Sequence, residues 1–170
     1  MARWLKVKYH EGKSVELRWA TRNGDDWERH ELESEDAPRG MFEEALEDLT
    51  QDVVRVLELP ERFLEKLVVT TVTLSYGTND QMGVVLSGVI EVEAGKFAVN
   101  TPRIRDKSAD LLGETETGPG WMDAEMSKRL RELLDQAHSY ASGQRVTTGE
   151  PEAEGEEEVE GAEPELTAVS

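Results

Sequence analysis

Cysteine is absent from all 170 residues. That excludes a disulfide framework, a thiolate metal site and a thiol nucleophile, and it leaves the redox compartment undetermined. No apolar run approaches the length needed to span a bilayer, and the start, Met1 to Lys8, lacks the apolar core of a secretory leader. The expectation is a soluble cytoplasmic protein with no membrane contact. Positive charge is scarce: 19 lysines and arginines stand against 37 aspartates and glutamates, for a net charge of −18. A field of that sign disfavours duplex nucleic acid on average and leaves only local patches for phosphate contact.

Aromatic and basic residues run out altogether at the C-terminus. Gly149 to Ser170 holds nine glutamates, no lysine or arginine and no aromatic residue. Such a segment cannot bury enough apolar surface to offset the entropy of ordering its backbone, so 149–170 is expected to be a disordered acidic tail. Residues 1–148 are long enough for a core of their own and read as a single domain, with a division into halves at 1–60 and 61–148. Charge is uneven within it: residues 1–22 sum to +4, residues 23–66 to −10, residues 67–122 to −3 and residues 123–148 to zero.

Period-two alternation marks strands with one buried face. Leu5, Val7 and Tyr9 alternate with Trp4, Lys6 and Lys8, and Val15, Leu17 and Trp19 alternate with Glu16 and Arg18. A turn at Glu11-Gly12-Lys13 sets Leu5, Val7 and Tyr9 opposite Trp19, Leu17 and Val15. Asn23-Gly24 is a hairpin signal, since both residues tolerate positive φ, and it places Leu17 against His30 and Val15 against Leu32. A helix comes next, with Phe42, Leu46, Leu49, Val53, Val56 and Leu57 at helical spacing, Glu43, Glu44, Glu47, Asp48 and Asp52 elsewhere around it, and Pro60 as its stop.

The second half repeats the order of elements. Strands are expected near Leu67–Tyr76, Met82–Glu93 and Lys96–Thr101, with a long polar loop from Pro102 to Pro119. In the registers these imply, Val72, Leu74 and Tyr76 face Leu86, Val84 and Met82, while Ile90 and Val92 face Val99 and Phe97. A last helix runs from Asp123, its N-cap, to Ser142, with Gly143 as its stop. The fold class is α+β: antiparallel sheet in βββα-βββα order, whether one sheet or two, with two amphipathic helices on one face.

A set of phrases stands out in order: Asn23-Gly24-Asp25-Asp26-Trp27; Leu32-Glu33-Ser34 through Pro38 into Phe42-Glu43-Glu44-Ala45-Leu46; Glu58-Leu59-Pro60-Glu61; Ser75-Tyr76 with Met82-Gly83-Val84-Val85; and Asn100-Thr101-Pro102. Together they resemble small acidic proteins encoded by bacteriophages and prophages. The resemblance implies an accessory role inside a bacterial host cell and carries no activity or site residue with it.

Three surfaces offer chemistry. The outward face of the first hairpins gathers Trp4, Lys6, Lys8, Arg18, Ala20, Trp27 and Arg29, with Glu16 and Glu31 among them. Cations that neutralise phosphates beside indoles that stack on bases suit single-stranded nucleic acid, at roughly 1–3 kcal/mol per stacked base. A solvated face with guanidinium groups lying on indoles fits the same residues. The acidic tail, tethered at an effective concentration of order millimolar, could modulate access to that surface, offer itself to a partner, or only confer solubility. Second, Glu43, Glu44, Glu47 and Asp48 lie around one helix, as a DNA-mimicking inhibitor of a host protein would arrange carboxylates, or as any solvated helix would. Third, Val69, Thr71, Thr73, Ser75, Val85, Ser87, Val89 and Ala98 form a flat semi-polar face suited to another sheet or to a homodimer.

Enzyme chemistry finds little footing. His10, His30 and His138 are far apart in sequence, and the glycines do not follow phosphate-loop spacing. Asp80, Glu91, Glu93 and Lys96 could assemble a divalent-metal nuclease site, but hairpin salt pairing explains them as well. No catalytic residue, metal or cofactor is assigned, and the expectation is a non-enzymatic binding protein.

Overall fold

The computed structural model describes residues 2–77, 80–106 and 120–143. The acidic segment 149–170 lies outside the described residues, as do 107–119 of the long loop. The structure is α+β, with antiparallel strands forming one sheet. Its elements are β1 (Ala2–Lys8), β2 (Val15–Asn23), β3 (Asp26–Ser34), α1 (Gly40–Glu47), α2 (Thr50–Val56), a 3₁₀ turn (Glu61–Glu65), β4 (Leu67–Tyr76), β5 (Met82–Val92), β6 (Gly95–Asn100), β7 (Ile104–Arg105) and α3 (Ala124–Ala141).

The strand order is β3-β2-β1-β4-β5-β6, with the short β7 pairing β5. Each half is thus a meander, and the first strand of each meets the other at the centre, where Lys6, Val7 and Lys8 pair Thr73, Val72 and Thr71. One face of the sheet supplies Val7, Val15, Leu17, Val72, Leu74, Val84, Leu86 and Ile90 to the core. The helices close over it with Phe42, Leu46, Leu49, Val53, Met126, Leu130, Leu133 and Tyr140. Burial of that apolar surface is what holds the two layers together.

The α3 boundaries are set by capping. Asp123 accepts a hydrogen bond from Met126 N at 2.8 Å, and Gly143 takes a φ of 102° just past the last turn, which glycine does without strain. The helix expected across Phe42–Leu57 is broken in two. Leu49 N donates to Leu46 O at 3.2 Å and Asp52 N to Leu49 O at 3.0 Å. This tightened 3₁₀ spacing rotates α2 relative to α1 about the chain direction. α2 is buried on both flanks of its apolar stripe, with Thr50 and Val54 on one side and Asp52, expected on the solvated side, fully buried on the other.

Two hairpins close at different turns than the glycines suggested. The β2–β3 turn is Gly24-Asp25, so Leu17 pairs Leu32 and Trp19 pairs His30. The β5–β6 turn is Glu93-Ala94, so Ile90 pairs Phe97. Both slips change the pairing by two residues, which leaves every side chain on its expected face. Two bulges do change faces. Leu5 is an extra residue in β1 between Trp4 and Lys6, and Thr70 is one in β4 between Val69 and Thr71. An inserted residue flips everything beyond it. Val69 accordingly sits in the core, 3% exposed, and not on the semi-polar face expected from its spacing.

Candidate functional site

On the sheet face turned away from the helices Lys8, Arg18, Arg22 and Arg29 are exposed, while Ala20 is buried. Lys6 pairs Arg18 and Lys8 pairs Glu16 across β1–β2, and Arg18 pairs Glu31, Ala20 pairs Arg29 and Arg22 pairs Trp27 across β2–β3. Cross-strand partners share a face. Lys6, Lys8, Arg18, Trp27 and Arg29 therefore come together as the alternation predicts, and the structure adds Arg3 and Arg22, both missed by that reading.

Trp4 does not join them. The Leu5 bulge puts it opposite Trp19, with ring centroids 5.4 Å apart, packed against the core cluster. Tyr76 Oη fixes the same strand by donating to Trp4 O at 2.9 Å, and burial raises the Tyr76 phenol above its ordinary pKa. Trp4 and Trp27 thus lie on opposite faces, which overturns the expected two-indole platform. The adjacent apolar pair Trp4-Leu5, which breaks strict alternation, is the sequence signal for the bulge.

The remaining indole is attended by cations. The Arg3 guanidinium lies 4.2 Å from the Trp27 ring centroid and 4.8 Å from that of Tyr76, and Arg22 lies 5.6 Å from Trp27. Arg3 also pairs Asp80, Lys6 pairs Glu16, and Arg18 Nε meets Glu31 at 2.9 Å. The hydrogen bond from Lys6 is the main reason the Glu16 carboxyl is held below the usual carboxylate range, against the opposing effect of burial. Among the described residues Lys8 and Arg29 have no ion-pair partner, so theirs is the charge most available to a ligand. Further along the same face, Arg103 lies over Gly83, donating from Nε to Ser75 Oγ at 3.0 Å and from its NH2 group to Gln81 O at 3.2 Å.

The exposed surface of α1 carries the opposite sign. Glu43, Glu44 and Glu47 on α1 and Asp48 just after it are all exposed. Tyr9 Oη donates to Glu43 Oε2 at 3.0 Å. Burial first, and then the neighbouring carboxylate, push the Tyr9 phenol up to about 12. A cleft of about 270 Å³ opens beside these groups, between the start of β4, the β1–β2 turn and α1.

The residues considered for catalysis stay apart. His30 stacks on Trp19 at 5.5 Å with its Nε2 2.8 Å from Thr21 Oγ1. Asp80 and Glu91 sit at opposite ends of β5, one paired with Arg3 and the other opposite Lys96. Among the described residues no three His, Asp or Glu side chains are grouped to hold a metal, and no helix is long and apolar enough to cross a membrane. Comparison finds no protein family, no curated protein and no solved structure that matches the chain.

Proposed function

We propose that this chain is a non-enzymatic binding module whose open sheet face takes single-stranded nucleic acid, chiefly through phosphates and with one stacking position. One observation carries the reading. In a protein of net charge −18, the β1–β3 part of that face brings together Arg3, Lys6, Lys8, Arg18, Arg22 and Arg29 beside Glu16, Glu31 and Glu33, with Asp80 and Asp25 pairing Arg3 and Arg22 at its edge. Lys8 and Arg29 supply charge held in no ion pair among the described residues, and Trp27 supplies a ring on which a base can replace a guanidinium. The acidic tail competes for the same cations. A phage or prophage accessory role in the bacterial cytoplasm accords with the resemblance of the sequence.

Intrinsic fluorescence titrated with short single-stranded DNA at low salt tests this. Quenching is expected, weakening steeply with added salt and strengthening when residues 149–170 are removed. Trp27→Phe should remove most of the quench and Trp4→Phe little of it, while Lys8→Glu with Arg29→Glu should weaken binding about tenfold or more. Silence from both the full-length and the shortened protein ends the proposal.

A second reading is supported by the exposed carboxylates of Glu43, Glu44 and Glu47 on α1 and Asp48 just after it, beside a cleft: an acidic surface that engages a host protein in place of DNA. It predicts capture of a purified DNA-binding enzyme that is lost when Glu43, Glu44, Glu47 and Asp48 are reversed to lysine. The DNA titration should be indifferent to that change.

A further inference from the structure

Arg103 and Arg105 belong to the second half of the chain, yet they lie on the same outward face of the sheet as the β1–β3 cations. Gly83 of β5 places both. It pairs Arg105 of β7, so Arg105 shares its outward face, while the intervening Ile104 is buried in the core. The guanidinium of Arg103 occupies the space a Cβ on Gly83 would need, and glycine is what lets it rest flat on the strands. Its Nε donates to Ser75 Oγ at 3.0 Å and its NH2 group to Gln81 O at 3.2 Å. Other N–H donors of this exposed guanidinium stay unused among the described residues. Arg105, also exposed, holds its guanidinium 4.3 Å from the ring centroid of the half-buried Trp121, which bridges it from the chain leading into α3. Neither arginine has an ion-pair partner among the described residues.

These groups continue a row that begins at Trp27. Arg22 pairs Trp27 at the β3 edge. Arg3 sets its guanidinium 4.2 Å from the Trp27 centroid and 4.8 Å from that of Tyr76, so one side chain reaches from β3 to β4. Ser75, next to Tyr76, pairs Gly83, and Gly83 leads on to Arg105. Arginines from both halves of the domain are thus strung across the strands at one end of the sheet, with an indole beside an arginine at each terminus of the row. Asp25 and Asp80 offset Arg22 and Arg3, which leaves the stronger free charge at the Arg103–Arg105 end. From β3 through β2, β1, β4, β5 and β7 to Trp121, the row spans about 29 Å at ~4.8 Å between neighbouring strands.

We propose that a single strand of nucleic acid crosses the sheet along this row from Trp27 to Trp121, with Arg103 and Arg105 as phosphate contacts and Trp121 as a second stacking position. Positive groups repeated along one line suit successive phosphates, and an aromatic ring at each end suits a base. The inference rests on the nucleic-acid reading and gives its site a course and a length. At the 3.4 Å spacing of a stacked strand the row takes about nine nucleotides. A short oligonucleotide therefore occupies the Trp27 end alone, and only a longer one reaches Trp121.

Fluorescence anisotropy of end-labelled oligothymidylates of about four and about twelve nucleotides, titrated with the full-length protein at low salt, tests the course. Arg103→Gln with Arg105→Gln should weaken the longer oligonucleotide on the order of tenfold and leave the shorter within about twofold. Lys128→Gln with Arg131→Gln, exposed on α3 on the helix side, removes the same charge and should alter neither. In Trp27→Phe the longer oligonucleotide should still quench intrinsic fluorescence, through Trp121, where the shorter does not; adding Trp121→Phe should abolish the remainder. Should circular dichroism show the arginine variant unfolded, the length-dependent quench in Trp27→Phe decides alone. Equal weakening of both lengths, an equal effect of the α3 pair, or a Trp27→Phe protein that neither length quenches overturns the course across the sheet and leaves binding on β1–β3 standing. Failure of both lengths to bind either the full-length or the shortened protein removes the two together.

Discussion

Asp52→Ala is expected to lower the free energy of unfolding by about 3–5 kcal/mol, the loss typical when one partner of a buried ion pair is removed. Asp52 is completely buried on α2. Arg129 of α3 reaches it with both arms of the guanidinium, Nε to Oδ2 at 2.9 Å and the NH2 group to Oδ1 at 2.8 Å. Arg55 stands 3.6 Å from Oδ1 and turns its Nε toward Asp123 at 3.7 Å. The cluster thus joins α2 to the capped start of α3. Its attraction holds Arg129 in the charged form even more firmly than usual, chiefly through the hydrogen bonds from Asp52. Truncating Asp52 strips the part-buried Arg129 of the carboxylate that both arms of its guanidinium grip, and leaves Arg55 with Asp123 alone. The companion experiment separates lost attraction from stranded charge. Asp52→Leu combined with Arg129→Met should recover much of the stability, since both charges leave together. Urea unfolding monitored by circular dichroism measures both variants. A loss under about 1 kcal/mol for Asp52→Ala would put the cluster in the class of exposed pairs.

Gly88→Ala is the second large effect, at about 3 kcal/mol or more, from overpacking against atoms that cannot move. A methyl group there would run into Val68 O and come within 3.1 Å of Val69 Cα, both backbone atoms of the paired strand. The closeness belongs to the Thr70 bulge, which presses β4 onto β5 at this point. Gly83→Ala makes the informative contrast. Its methyl group would collide with the guanidinium of Arg103, the end of a long, exposed side chain that can swing away at the loss of its bonds to Ser75 and Gln81, about 1 kcal/mol. Equal losses at the two glycines, measured by the same unfolding curves, would contradict the distinction between rigid and yielding neighbours.

Much of the molecule could be read from alternation alone, and the failures trace to identifiable physical causes. The pairs Val72–Leu86, Leu74–Val84 and Tyr76–Met82 are dictated by spacing and occur as expected. Misplaced turns at Gly24 and Gly95 did no harm to the faces, since each altered the pairing by an even number. The Leu5 and Thr70 bulges did, because an odd insertion exchanges inside for outside, and it took Trp4 out of the cationic surface. Nothing in composition reports such an insertion; only the neighbouring apolar pair Trp4-Leu5 hints at it. The burial of Asp52 has a different source: α2 is buried on both flanks, and Arg129 from the distant α3 covers the carboxylate, a partner that helical spacing does not reveal. Ile104, fully buried on β7, was lost within a stretch whose polar composition masked one apolar anchor. Of the candidate site, the cations and Trp27 were legible as a face, whereas the cleft at the start of β4 depends on strand ends that spacing does not reveal.

The central pairing of β1 with β4 also dictates an order of assembly. β1–β2, β2–β3, β4–β5 and β5–β6 are local hairpins, each closing a short loop. Joining β1 to β4 instead closes a loop of more than sixty residues, from Lys8 to Thr71, and slow, late closure is the rule for such distant partners. During synthesis the first meander must wait with its innermost edge bare until β4 emerges. Pulse-labelled hydrogen exchange should accordingly show amides of the outer hairpins protected before that of Tyr9, whose bond to Thr70 records the seam between the halves.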